Sequence, residues 1–150
     1  MPSFEWVLDT WLLVVAQNPL EERSLDAVSL LRQLKVGHRI ALDHGRTILR
    51  EYYQNLDRQS HAAQWLNAML RRADKTTWRA GCLSHQRTQR LIDTLRFDRS
   101  DLIFVAVSSE GPDKLLVSEE SDYTSEIKAY LLAECGIRVL SITEAIALVT

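Results

Sequence analysis

Apolar residues recur along the chain in two rhythms. Residues 4–8 form a bulky apolar run that closes on Asp9-Thr10 and reads as a short strand. Residues 11–16 stay apolar and read as a buried helical turn or two. Asn18-Pro19 stops them, because proline disfavours helix in the residue before it. Between residues 20 and 36, Leu25, Val28, Leu31 and Leu34 or Lys35 follow helical spacing. Glu21 and Glu22 suit the first turn of that helix, Lys35 suits its last, and Gly37 offers a stop. Residues 39–42 make a second strand. Residues 46–56 then carry Ile48, Leu49, Tyr52, Tyr53 and Leu56 on one helical face, and residues 62–72 carry Ala62, Trp65, Leu66, Met69 and Leu70 on another. Residues 74–83 keep neither rhythm and are expected to be irregular.

In the second half, Ser84 is placed to cap a basic helix that reaches Leu95. Residues 101–109 fit strand or helix by periodicity, and Ser100 as N-cap favours helix. Residues 115–117 read as a third strand and residues 125–135 as a helix with Ile127, Tyr130 and Leu131 inward, ended by Gly136. Residues 137–141 form the last strand and residues 143–148 a final turn. This alternation predicts an α/β fold, a three-layer α/β/α sandwich around a mostly parallel sheet of four or five strands, in one domain spanning residues 1–150. Ligand sites in such sheets lie beyond the carboxyl ends of the strands. Asp9 follows the first strand, and Glu119, Glu120 and Asp122 follow the third. Glu51 lies in the helix after the second strand, and Asp101 stands where a helix begins. Acids from four segments are thereby sent to one edge, where they repel unless a cation lies between them.

Composition changes this picture little. An apolar content of 46% and a charged content of 25% are ordinary for a water-facing globule. The longest apolar run is too short to span a bilayer, so no membrane partner is expected. No basic stretch precedes an apolar region near Met1, and Cys82 and Cys135 form no CxxC pair. Free thiols in a reducing cytoplasm are therefore the expectation. The net charge of −2 conceals an asymmetry: residues 45–100 carry eleven Lys and Arg against five Asp and Glu, whereas residues 101–150 carry three against nine. A basic middle beside an acidic end suits an anionic polymer held by one and met by a metal in the other.

Four short motifs in order give the chain a resemblance. Val7-Leu8-Asp9-Thr10 ends a strand in Asp-Thr, and Leu49-Arg50-Glu51-Tyr52 places Glu-Tyr in the helix after the second strand. Asp101-Leu102-Ile103-Phe104-Val105-Ala106 opens a helix with Asp and small apolar residues, and Leu116-Val117-Ser118-Glu119-Glu120-Ser121-Asp122-Tyr123 follows the third strand. Over nearly its whole length the chain resembles the PIN-domain nucleases. That resemblance implies a PIN-like fold and a Mg²⁺- or Mn²⁺-dependent endoribonuclease that cleaves single-stranded or loop RNA, in many members the toxin of a toxin–antitoxin pair. RNA, a small antitoxin protein and a second copy in a homodimer are the partners it implies. Two features depart from the family pattern. Glu120 stands where an Asp is usual, with Glu119 as its neighbour if the register differs by one, and the segment from Asp57 to Ser84 is longer and more basic than the family's minimal form. Glu120 also supports an alternative, a catalytically weakened or inactive PIN-like scaffold that binds RNA or protein.

The residue types suit that chemistry. Phosphodiester hydrolysis needs an activated water and charge neutralisation at the phosphoryl oxygens, and a divalent ion held by carboxylates supplies both. Mg²⁺ takes oxygen ligands and keeps several waters, so a few acids suffice. His38, His44, His61 and His85 are scattered, which disfavours Zn²⁺. Asp9, Asp101 and Asp122 are the expected metal ligands, with Glu120 and Glu51 binding directly or through water. Asp9, Glu51, Asp101 and Asp122 are the expected catalytic set, and Ser118 and Thr10 are expected to hold carboxylates by hydrogen bonds. Arg46, Arg50, Arg87 and Arg90 are candidate phosphate contacts, and Trp78 is a candidate to stack on an unpaired base. A phosphatase or a phospho-acceptor domain using Asp9 is a further reading; it needs a Lys or a Thr/Ser near the partner strands, for which Ser118 is the one fair candidate.

Overall fold

The computed structural model describes residues 2–150. Five strands, β1 (Glu5–Leu8), β2 (Arg39–Asp43), β3 (Thr76–Arg79), β4 (Leu115–Val117) and β5 (Arg138–Leu140), form one sheet in the order β3-β2-β1-β4-β5. All four pairings are parallel, with Trp6 opposite Ile40 and Leu115, and Ile40 opposite Thr76. Eight helices connect and cover the strands: α1 (Thr10–Gln17), α2 (Ser24–Gly37), α3 (Thr47–Asn55), α4 (His61–Leu70), α5 (His85–Gln89), α6 (Leu102–Glu110), α7 (Ser125–Tyr130) and α8 (Ile142–Val149). α5 and α7 each run on into a π-helical turn, Arg90–Thr94 and Leu131–Cys135. The three-layer α/β/α sandwich expected from the alternation is what the chain forms, with a fully parallel sheet.

The central strands are buried on both faces, as parallel strands under helices must be. Trp6, Val7 and Leu8 of β1, and Leu115, Leu116 and Val117 of β4, join one continuous core with Leu12, Leu30, Leu34, Leu66, Phe104 and Val107. Burial of a side chain of this kind contributes about 1.5–3 kcal/mol. No helix among the described residues is long and apolar enough to cross a membrane.

Four local expectations are corrected. Residues 74–83 hold a strand, β3, at the sheet edge: Thr76, Thr77 and Trp78 favour the extended form, and the edge position leaves them only partly covered. α2 begins at Ser24, so Glu21 and Glu22 precede it, and its inward stripe is Ala27, Leu30, Leu31 and Leu34, which leaves Leu25 84% exposed. Ser100 does not cap the helix after it. It lies inside a 3₁₀ turn, Arg99–Asp101, whose cap is Asp98, and the Asp98 carboxylate accepts the Ser100 N–H at 2.9 Å. The final turn proves to be a helix, α8, with Ser141 and Glu144 in a reciprocal capping box.

Candidate metal centre

The carboxyl end of β1 sets the first acid. Asp9 leaves the strand, its N–H bonds the Val117 carbonyl of β4 at 3.0 Å, and its own carbonyl starts α1. Its side chain is only 4% exposed. Ser118, which follows β4, donates its hydroxyl to Asp9 Oδ2 at 2.6 Å and accepts the Glu120 N–H at 3.1 Å. One hydroxyl therefore fixes both a carboxylate and the backbone of the next turn. Thr10 donates its hydroxyl to Glu51 Oε2, which pins Glu51 of α3 beside the start of α1. Beneath them Tyr52 is fully enclosed and donates to the Leu8 carbonyl. Ser118 and Thr10 thus hold carboxylates in the manner expected of them.

The closest gathering of acids lies one step away. Asp98, Asp101 and Asp122 each offer a carboxylate oxygen, and these oxygens lie within 4.8 Å of one another. Ligands of an octahedral ion at about 2.1 Å stand roughly 3–4 Å apart, so small side-chain adjustments fit the three to one cation. Asp101 and Asp122 belong to the expected set. Asp98 does not, although its i, i+3 spacing from Asp101 is a signal that it shares that residue's side of the turn. Asp9, Glu51 and Glu120 lie outside this tight group.

Long-range packing brings Asp98 in. Phe97 meets Tyr123 edge to face with ring centroids 5.2 Å apart, both rings being buried. That contact locks the segment before α6 to the turn after β4, so that Asp98 and Asp122 face one another. Arg96, in the left-handed region at φ 60°, turns the chain into this contact. The alternative of Glu119 as ligand is answered by its partners: it meets Arg23 at 2.7 Å and accepts the Ile142 N–H at 2.8 Å, which draws it toward α8. Glu120 remains on the side of the acids.

The electrostatics are those of acids lacking a counter-charge. Burial, and then Asp9, Asp98 and Asp122 around it, push the Asp101 carboxyl up to about 8. Burial likewise raises Asp9, to about 6, against the Ser118 hydrogen bond that favours its ionised form. Asp101 is the less buried of the two, yet it moves further, because its neighbours are carboxylates and no hydroxyl supports its charge. Burial and the charges of Asp122, Glu51 and Asp98 also raise Glu120. Asp98 moves the other way, held ionised by the N–H and hydroxyl of Ser100. A second observation points to the same place. The Tyr123 hydroxyl is buried without a hydrogen-bond partner, and Asp9, Asp101, Glu120 and Asp122 all bear on it. Buried hydroxyls normally find a partner, and an orphan costs about 1–3 kcal/mol.

Of the candidate phosphate contacts, Arg87 donates to the Glu134 carbonyl at 2.6 Å, and Arg50 donates to the Gly45 and Arg46 carbonyls at 3.2 and 3.3 Å, the pairing of ordinary surface arginines. Arg46 lies with its guanidinium carbon 5.4 Å from the Trp78 ring centroid. Comparison with known proteins returns no family model, no curated protein and no solved structure that matches this chain.

Proposed function

We propose that the chain is a Mg²⁺- or Mn²⁺-dependent endoribonuclease with a PIN-like arrangement, acting on single-stranded or loop RNA. The observation that carries this reading is the trio Asp98, Asp101 and Asp122 at the carboxyl edge of a parallel sheet, within reach of one ion. The unpartnered Tyr123 hydroxyl and the raised Asp101 carboxyl support it, since a hydrated cation among these groups would answer both. RNA, rather than another phosphodiester, rests on the motif resemblance.

A bound divalent ion would supply a water of lowered pKa and charge neutralisation at the phosphoryl oxygens. The chain's own residues do the rest. Asp98, ionised through Ser100, offers a fixed negative ligand, and Asp122 stands opposite it on a turn held by the Phe97–Tyr123 contact. Asp101 would ligate the cation in its own ionised form, its proton passing to solvent. Asp9, oriented by Ser118, and Glu120 flank the trio and are placed to accept a proton from an attacking water. Tyr123 offers one hydroxyl proton to a water or ligand oxygen in the site.

The test is cleavage of a folded RNA that contains single-stranded loops. Wild-type protein is expected to cut in Mn²⁺ and to stop in excess EDTA. Asp101→Asn, which resembles the protonated carboxyl in shape and charge, is expected to fold normally and to lose at least about a hundredfold in rate, the scale of removing a transition-state charge partner. Cutting that survives either EDTA or Asp101→Asn overturns the proposal.

A further inference from the structure

Arg46 and Trp78 come from segments 32 positions apart in the sequence and meet at the carboxyl edge of the sheet, the edge that carries the acids. Trp78 pairs with Leu42 in the β2–β3 ladder and is half-buried against the core. Arg46 is exposed in the turn that follows β2. This turn is rigid. Asp43 accepts the Thr47 and Ile48 N–H groups at 2.9 Å each, the Arg46 N–H bonds the Asp43 carbonyl at 2.9 Å, and Arg50 clamps the Gly45 and Arg46 carbonyls. Arg46 itself is held in the left-handed region at φ 61°, a conformation that costs a non-glycine residue about 1 kcal/mol or more.

The Arg46 side chain makes no hydrogen bond and no ion pair among the described residues; its contact is the Trp78 ring. A guanidinium is planar and weakly hydrated, and it stacks well on an aromatic ring. The Arg46 guanidinium carbon stands 5.4 Å from the Trp78 ring centroid, and the residue is open to solvent. Arg46 stands five residues before Glu51 on the same run of chain, about 7.5 Å along the axis at 1.5 Å per residue. The exposed cation lies at the same edge of the sheet as the carboxylates and is paired with none of them among the described residues.

We propose that Arg46 over Trp78 is the stacking platform for one unpaired nucleobase of the RNA strand, set a short distance along the strand from the bond to be cut. The base lies on the open face of the guanidinium, giving a layer of ring, guanidinium and base, and the N–H fork of Arg46 reaches its edge or the adjoining phosphate. This site rests on the ribonuclease reading for the identity of its ligand. Its chemistry fits single strands, because only an unstacked base offers a free face.

Binding of a labelled ten-nucleotide single-stranded RNA, measured by fluorescence anisotropy in Mn²⁺ on the Asp101→Asn background, tests the platform without cleavage. Each position of the RNA is replaced in turn by an abasic sugar. One or two positions are expected to lose about five- to a hundredfold in affinity, the range for one stacked base. Adding Arg46→Asn should abolish that position-specific loss. Asparagine tolerates the left-handed turn, so the unfolding midpoint serves as a check on the fold. Arg46→Lys keeps the charge without the plane and is expected to behave as Arg46→Asn does. An abasic profile unchanged by Arg46→Asn, a profile with no sensitive position, absence of RNA binding, or full retention by Arg46→Lys overturns the platform. Metal-dependent cutting lost in Asp101→Asn, with an unaltered abasic profile, would leave the nuclease reading standing and remove this inference alone. Arg46-dependent stacking without any cutting would do the reverse.

Discussion

Tyr123 is the residue whose environment is least satisfied. Its ring is fully used, packed on Phe97 and 3% exposed, while its hydroxyl has no hydrogen-bond partner and feels the charges of Asp9, Asp101, Glu120 and Asp122. Removing the oxygen separates its two roles. Tyr123→Phe keeps the ring, so in metal-free protein the unfolding free energy is expected to stay level or to rise by about 1 kcal/mol, since an unmet hydroxyl is deleted. In the presence of Mn²⁺ the same variant is expected to bind the ion more weakly, by about three- to tenfold, because a hydrogen bond of about 1 kcal/mol to the ion's water shell is gone. Denaturant titration and calorimetry read these separately, and a variant that is both less stable and unaltered toward Mn²⁺ would make Tyr123 a packing residue alone. Of the trio, Asp101 and Asp122 could be foreseen from the sequence because each begins or follows an element visible in the apolar rhythm. Asp98 could not. Among Arg96, Asp98 and Arg99 it reads as one surface charge in a mixed run, and what brings it beside Asp122, still exposed, is the contact of its neighbour Phe97 with Tyr123, 26 positions further on. Local spacing does not encode such contacts.

α6 is the element on which the site's geometry depends, because Asp101 stands at its head and the rest of the helix is wedged against the sheet. Its far end is tied down as well: Glu110 accepts the Gly81 N–H at 2.7 Å and the Cys82 N–H at 3.1 Å. Gly81 has φ +76°, and a Cβ there would stand 2.9 Å from Ile103 Cδ1 and 3.3 Å from Asp43 Cβ. Gly81→Ala therefore meets both backbone strain and a wall of side chains. It is expected to cost about 1–3 kcal/mol and to displace α6 enough to weaken Mn²⁺ binding. Gly37→Ala makes a fair control: its Cβ would meet nothing within 4 Å, and in the last turn of α2 alanine is expected to be neutral or to stabilise by up to about 1 kcal/mol. If chemical denaturation found the two variants alike, the account of α6 as a wedged element would be wrong. The same region shows what the apolar rhythm conceals at this scale. β3 is short, polar and half-covered, so alternation has little to act on, although Thr76-Thr77-Trp78 carried a strand preference by residue type. Arg79 at its end is recruited by Glu5, which is 3% exposed and takes two hydrogen bonds from it at 2.8 and 3.2 Å. An edge strand fixed by a half-buried ion pair leaves no periodic trace in the sequence.

For the molecule as a whole, the acids couple folding, protons and metal. Folded Asp9 titrates at about 6 and folded Asp101 at about 8, both above the 3.8 of an open chain, so the folded form holds their protons more tightly than the unfolded one. Their contribution to stability is full below about pH 4. It is lost progressively as pH rises through about 6 and then about 8, and the curve is flat above that. Glu120 is raised and acts in the same direction. His38 acts in the opposite one: burial and Lys75 lower it, so the folded form gains on the unfolded one as pH rises through the ordinary histidine range. The difference between wild type and Asp101→Asn cancels His38 and isolates the site. Without metal, Asp101→Asn is expected to overtake wild type above about pH 7 and to unfold about 2–4 °C higher at pH 8, the shift that roughly 1 kcal/mol makes in a chain of this size. Mn²⁺ should reverse the order at pH 8. Carboxylates must shed protons to ligate it, and a free concentration a hundredfold above Kd stabilises the folded form by about 2.7 kcal/mol. At pH 5 the ion competes with the protons of Asp9 and Asp101, and the same concentration should move the midpoint far less. Melting curves at pH 5 and 8, with and without Mn²⁺, for both proteins decide the matter. A wild type that gains stability relative to Asp101→Asn between pH 6 and 8 in EDTA, or an Mn²⁺ effect equal at the two pH values, is incompatible with carboxylates strained by one another's charge and relieved by a cation.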